Sequence, residues 1–220
     1  MRFMPSRHDR KVFGKIAEEY DLVYFGTVDP RVDHDYVAVR GLTAQPNQIE
    51  ENYTTGNVYD YEVAFLQRSR NAKLPNGVNE KKHWTILQVQ LRSGGWPRIF
   101  IDGRSRAEEY GALVASYLRL SEIGWQNLAN SAVTNFPQTF ATYARLEDVG
   151  LVQKVLSSDV QAMLATHFTA FDYELVEDKL IIYATNTEIN LEILDHMLRV
   201  GLWFARHIDA LLYENINVTE

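Results

Sequence analysis

Four groups of residues have the types and spacing that could support chemistry. Asp29, Asp33, His34 and Asp35 lie close together in the chain. Asp33-x-Asp35 has the spacing of a carboxylate pair that holds Mg²⁺ or Mn²⁺ beneath a nucleotide-sugar diphosphate, with His34 as a further nitrogen donor. Aspartate is equally a favoured turn residue, because its side chain accepts hydrogen bonds from nearby backbone N–H groups. No nucleotide-binding βαβ unit precedes the triplet, so the turn reading is preferred.

Asp172, Glu177 and Lys179 form a fragment of a metal-nuclease pattern. That chemistry needs the acids and the lysine converged on one metal beside a basic groove, whereas Glu177 falls at a predicted hairpin tip. His196 and His207 share one side of the last helix. At ~1.5 Å rise per residue they stand about 16 Å apart, too far to share an ion. Asp102-Gly103-Arg104-Ser105-Arg106 lies between a strand and a helix start. There, free N–H groups, the helix dipole, Gly103, Arg104 and Arg106 could hold a phosphate or carboxylate. Asp102 works against an anion, and Ser105 is already accounted for as a helix cap. The phosphate-loop, dinucleotide, nucleophile-elbow, zinc-protease and EF-hand patterns are all absent. No catalytic set, metal site or cofactor is therefore read from the sequence.

Composition narrows the classes further. The chain has 220 residues and no cysteine, which removes thiolate nucleophiles, CxxC redox pairs, iron–sulfur clusters and cysteine-based zinc sites. With 22 basic against 29 acidic residues the net charge is −7, which argues against a general binder of nucleic acid or anionic membrane. No apolar run reaches membrane-spanning length, and no signal-peptide core follows Met1. Cytoplasmic residence is the expectation.

The elements that would position these groups follow from periodicity. A helix is predicted over Arg7–Tyr20, capped by Ser6, with Val12, Phe13, Ile16 and Tyr20 as its apolar stripe. Strands are predicted at Leu22–Val28, Tyr36–Leu42 and Asn57–Arg68, with a polar loop over Ala44–Asn52. Leu74-Pro75-Asn76-Gly77 is a turn signal. A hairpin is read from Trp84–Leu91 and Trp96–Ile101 across Ser93-Gly94-Gly95, followed by a helix over Arg106–Leu118 with Ser105 and Glu108 at capping-box spacing. The last third repeats that order. A strand around Thr139–Ala144 leads to a helix over Asp159–His167, with Ser158 and Gln161 at capping-box spacing. Hairpin Ala170–Tyr183 and a long helix over Asn190–Tyr213 complete the chain. The expected fold is α+β: an antiparallel sheet with helices packed on one side and a hairpin-then-helix unit occurring twice. The Asn-rich piece Gln126–Asn135 divides it into a strand-rich lobe, 1–134, and an α+β lobe, 135–220, the alternative being one continuous domain.

The order from Trp84-Thr85-Ile86-Leu87-Gln88-Val89-Gln90-Leu91 through Pro97–Asp102, Phe140–Ala144, Val155–Leu164, Phe171–Glu174 and Lys179–Tyr183 resembles an uncharacterised bacterial family, catalogued as domain of unknown function number 3137. The resemblance runs over residues of about 84–213 and implies a bacterial, non-secreted α+β domain. It implies no activity. Members often carry membrane segments ahead of the domain; none is read here, so membrane association is not carried over.

The leading functional reading is a non-catalytic interaction or scaffold domain that binds a protein partner. It rests on the missing catalytic set and on the supply of 4 Trp, 12 Tyr and 10 Phe. Tyr53, Tyr59 and Tyr61, around Gly56, are the candidate contact residues, because tyrosine offers large area at little rotamer entropy. A small-anion or ligand-binding domain using Gly103, Arg104 and Arg106 is the second reading. A metal-dependent enzyme using Asp33 and Asp35 is the third.

Overall fold

Ser6 begins the first helix. In the computed structural model, which describes residues 6–28, 39–44, 49–73, 79–106, 114, 118–128, 135–185 and 187–216, α1 spans Arg7–Tyr20. The Ser6 hydroxyl accepts the Asp9 N–H at 2.9 Å, satisfying one of the donors a helix start leaves open. Asp21 ends the helix in the left-handed region at φ 53, a conformation that aspartate tolerates.

The strands are β1 (Val23–Gly26), β2 (Ile49–Val58), β3 (Tyr61–Lys73), β4 (Asn79–Gln90), β5 (Trp96–Gly103), β6 (Ser121–Glu122), β7 (Phe140–Ala144), β8 (Asp172–Glu177) and β9 (Lys179–Thr185). Further α-helices among the described residues are α2 (Phe136–Thr139), α3 (Val149–Val155), α4 (Ser158–His167) and α5 (Leu191–Ile216). The strands form a nine-stranded antiparallel sheet in the order β1-β2-β3-β4-β9-β8-β5-β7-β6, so the fold is α+β as the periodicity predicts. The chain divides into two compact units, Met1–Gln90 with Ile181–Gly201, and Leu91–Leu180 with Leu202–Glu220.

In the first unit the register places Phe65 opposite Leu87 and Val63 opposite Val89, so all four share one sheet face. Helices cover that face. Phe13 of α1 meets Phe65 edge-on at a centroid separation of 6.5 Å. Gly201 of α5 lies so close to the sheet that a Cβ there would stand 3.0 Å from Leu87 Cδ2 and 3.1 Å from Val89 Cγ2. The opposite face carries Arg68 paired with Trp84 and Leu66 with Ile86, all buried. Residues 39–44 lie over it: the Val39 carbonyl and Thr43 hydroxyl accept from Arg68, and the Leu42 N–H donates to the Tyr183 hydroxyl.

In the second unit β5 pairs with β7 on one side and β8 on the other. Ile101 and Tyr173 are opposite each other, and Phe204 of α5 packs edge-on against Tyr173 at 6.1 Å. Asp209, one turn further along α5, fixes the turn before β5. Its carboxylate accepts the Ser93 N–H at 3.1 Å and the Ser93 hydroxyl at 2.6 Å, and that hydroxyl in turn accepts from Trp96 Nε1 at 3.0 Å.

Several local expectations are corrected. Of the strand expected over Tyr36–Leu42, residues 36–38 lie outside the described residues, and Val39–Leu42 is irregular backbone ending in a bend and turn, with backbone groups that serve Arg68 and Tyr183. Residues 49–52 open β2 instead of extending a loop; their polar side chains are buried with partners, which composition alone does not reveal. Asn57–Arg68 is broken by the two-residue turn Tyr59-Asp60, with Tyr59 at φ 54 and Val58 paired to Tyr61. The predicted hairpin of Trp84–Leu91 with Trp96–Ile101 has both strands but not their pairing: β4 pairs with β3, and β5 with β7 and β8. Ser157, not Ser158, caps α4, accepting the Val160 N–H, while Gln161 is buried and donates to the Leu156 carbonyl. The turn at 74–77, all but Arg106, Val114 and Leu118 of the helix at 106–118, and most of the Asn-rich piece lie outside the described residues.

Candidate functional site

The three tyrosines do not share one surface. Tyr53 and Tyr61 are 1% and 3% exposed and belong to the core, whereas Tyr59, at the β2–β3 turn, is 74% exposed. Tyr53 lies at the bulge in β2 between Glu51 and Thr54, which shifts the pairing with β3, and it packs against Phe25. The two rings are tilted at 45° with centroids 5.8 Å apart.

That contact brings β1 forward. Phe25 is 49% exposed above Tyr53, and Val23, two residues before it in the strand, is 57% exposed. Tyr24 lies between them. Its hydroxyl donates to Asn52 Oδ1 at 2.7 Å, and Asn52 Nδ2 donates to Gln67 Oε1 at 2.5 Å. Burial pushes the Tyr24 phenol above its ordinary pKa; Arg10 opposes that shift and Glu51 adds to it. This buried polar chain holds β1 to β2 from below while its outer side chains face solvent. The exposure of Phe25 and Val23 is not marked in the sequence, because Leu22–Val28 has no alternation of apolar and polar residues to show which side lies open.

The Gly103 region is arranged differently from the anion cradle that the sequence suggests. The Gly103 N–H donates to Asp172 Oδ1 at 2.9 Å. Arg104 donates to the Pro137 carbonyl at 2.6 Å and to Glu122 at 2.9 Å. Gly103 and Arg104 are thus engaged by the protein's own oxygens, and the side chain of Arg106 lies outside the described residues. Asp102 and Glu174 are buried on the sheet face that also carries Phe100 and Tyr143, and Arg98 lies 3.1 Å from Glu174. Burial raises the Tyr143 phenol, and Glu122 and Asp102 add to the shift.

Among the described residues the nuclease candidates serve separate partners. Asp29, Asp33, His34 and Asp35 lie outside the described residues. Glu177 is exposed at the β8–β9 turn with φ 56, and Lys179 pairs with neighbouring Asp178 at 2.7 Å, while Asp172 serves Gly103. Among the described residues no group of three or more His, Asp or Glu could hold a metal ion, and no helix is long and apolar enough to cross a membrane.

The fold thus defines an α+β sheet protein in which, among the described residues, the apolar strand β1 stands at one end of the strand order and pairs with β2 alone. No protein-family model and no curated protein matches the chain. Its fold is similar to the crystal structure of the mycobacterial trehalose monomycolate transport factor A, TtfA, with a TM-score of 0.60 over 94% of this chain and 96% of that one. The two sequences are 11% identical, so the likeness is one of fold alone.

Proposed function

We propose that the protein is a non-catalytic interaction domain that binds a protein partner through β1 and the adjoining β2–β3 turn. The observation that supports it is the pair Val23 and Phe25, both exposed on an end strand. Proteins blunt such strands with short length, bulges, charge or proline; β1 has four residues and a bulge at Phe25 but neither charge nor proline. An aromatic ring resting on a buried ring, as Phe25 rests on Tyr53, offers contact area that is already ordered before binding. The structural neighbour is named a transport factor, which accords with a role in binding rather than turnover. Bacterial origin, cytoplasmic residence, kinship with the 3137 family and no contact with nucleic acid complete the reading.

The test is to replace Val23 and Phe25 together by aspartate and follow the native complex from cell extracts by size. Both side chains are about half exposed, so the fold should survive. Loss of the larger species with an unchanged melting midpoint is the expected result. An unchanged complex would overturn the reading.

A further inference from the structure

We infer that the partner presents an extended segment with basic flanks, which adds to the sheet as a further strand beside β1. This rests on the interaction reading above and names its mode and chemistry. Three observations lead to it.

The first is topological. β1 stands at the end of the strand order and, among the described residues, pairs with β2 alone. Its sequence Val23-Tyr24-Phe25-Gly26, with Leu22 and Thr27 beside it, contains no charge and no proline. An added strand gains main-chain hydrogen bonds from such an edge, and alternate side chains give it register.

The second is where the side chains lie. Val23 and Phe25 are exposed, Phe25 from a bulge between Tyr24 and Gly26, while Tyr24 is held to Asn52. An incoming strand with apolar residues at every second position would lay them beside Val23 and Phe25, the diagonal and direct neighbours that stabilise antiparallel pairs.

The third is charge. Ile16–Val28 contains Glu18, Glu19 and Asp21 and no basic residue; Asn57–Val63 contains Asp60 and Glu62 and no basic residue. Glu62 pairs with Asn57, two positions along β2 from Thr55, the partner of Val23. All five carboxylates belong to exposed residues; Arg10, which acts on Tyr24, and Lys15 stand on α1, so acids outnumber bases around the strand. A second copy of this chain would bring the same acids against it, at a net charge of −7. Lysine or arginine on either side of the incoming segment is the complement, and it would also speed encounter.

The experiment uses the full chain and two labelled synthetic probes, Lys-Lys-Val-Thr-Val-Thr-Val-Lys-Lys and the same peptide with glutamate for every lysine. Binding is read by anisotropy and amide hydrogen exchange. The lysine probe should slow exchange of the Val23–Gly26 amides and bind at least about tenfold more tightly than the glutamate probe. Phe25→Lys should weaken it at least about tenfold, with Phe25→Tyr retaining it. Equal affinity for the two probes, no binding of the lysine probe, or protection confined to another surface such as Leu146, Leu151 and Met163 would overturn the inference. If the probe fails while the Val23/Phe25 aspartate variant still loses its native complex, strand addition falls and the interaction reading stands. If the native complex survives that variant, the interaction reading at this surface falls as well.

Discussion

Arg68 and Glu50 face each other across the β2–β3 ladder as an ion pair with no solvent access: Arg68 Nη2 stands 2.6 Å and Nε 3.0 Å from the same Glu50 oxygen. The guanidinium's other donors go to Thr43 and the Val39 carbonyl, so the pair also anchors the segment that covers this sheet face. Breaking a buried pair leaves one charge stranded, whereas replacing both members by apolar groups removes the desolvation cost as well. Glu50→Ala should therefore destabilise the fold by about 3–5 kcal/mol. The double variant Glu50→Leu, Arg68→Met should recover most of that loss. Denaturant unfolding of the three proteins checks it, and equal losses in the single and double variants would refute the account.

Gly201 is a second sensitive position, because space rather than backbone conformation demands glycine there. An alanine methyl would press on Leu87, Val89 and Ile182 at 3.0, 3.1 and 3.2 Å. Gly201→Ala should cost about 1–3 kcal/mol as overpacking, despite the higher helix propensity of alanine. Leu198, one turn earlier and fully buried, should cost about 2–5 kcal/mol when cut to alanine. Melting midpoints that rise in Gly201→Ala would show that α5 can move off the sheet.

Tyr20 supplies a spectroscopic test. Its hydroxyl donates to Asp195 Oδ1, while Arg199 Nε holds Asp195 Oδ2 at 2.8 Å. Burial first, then the hydrogen bond to Asp195, push the Tyr20 pKa from 10.0 up to about 12. The folded value lies above the unfolded one, so this group's contribution to stability is complete below pH 10. It is lost as pH rises toward 12. The phenols of Tyr24 and Tyr143 are raised as well, so ultraviolet titration should show several late phenolate steps, of which Tyr20→Phe removes one. If that variant titrates like the parent, Tyr20 is not held by Asp195.

The aspartates at 33 and 35 bear on the enzymatic alternative. With charged groups elsewhere serving protein partners, chelation should leave the melting midpoint unchanged. Asp33→Asn with Asp35→Asn should leave the native complex intact. A midpoint lowered by several degrees, or a lost cellular phenotype in the folded double variant, would favour metal-dependent turnover.

What the sequence made legible follows from how local each determinant is. Ser6 and the stripe Val12–Phe13–Ile16 define α1 without reference to the rest of the chain, and Leu194, Leu198, Leu202 and Ile208 do the same for α5. β2 was hidden because Glu50, Glu51 and Asn52 read as loop until Arg68 and Gln67, far along the chain, supply partners. The pairing of β4 and β5 was misread for a related reason. Ser93-Gly94-Gly95 signals a turn, with Gly95 at φ 80, but a turn does not choose the neighbours of the strands that flank it. At the candidate site, aromatic content was visible and its exposure was not. The bulges beside Tyr53 in β2 and at Phe25 in β1 depend on a register no residue type announces.

The division of each compact unit into two stretches of chain has a consequence during synthesis. β4 is complete once Gln90 has emerged, but its neighbour β9 ends with Thr185. At ribosomal rates of about 5–20 residues per second, the intervening stretch takes roughly 5–20 s to appear. Throughout that interval β4 is paired with β3 on one edge and open on the other, and Leu87 and Val89 lack the α5 residue Gly201 that later covers them. The molecule is thus most vulnerable to aggregation before translation ends. Slowed initiation, lower growth temperature or a nascent-chain chaperone should raise its soluble yield more than any change to the finished surface.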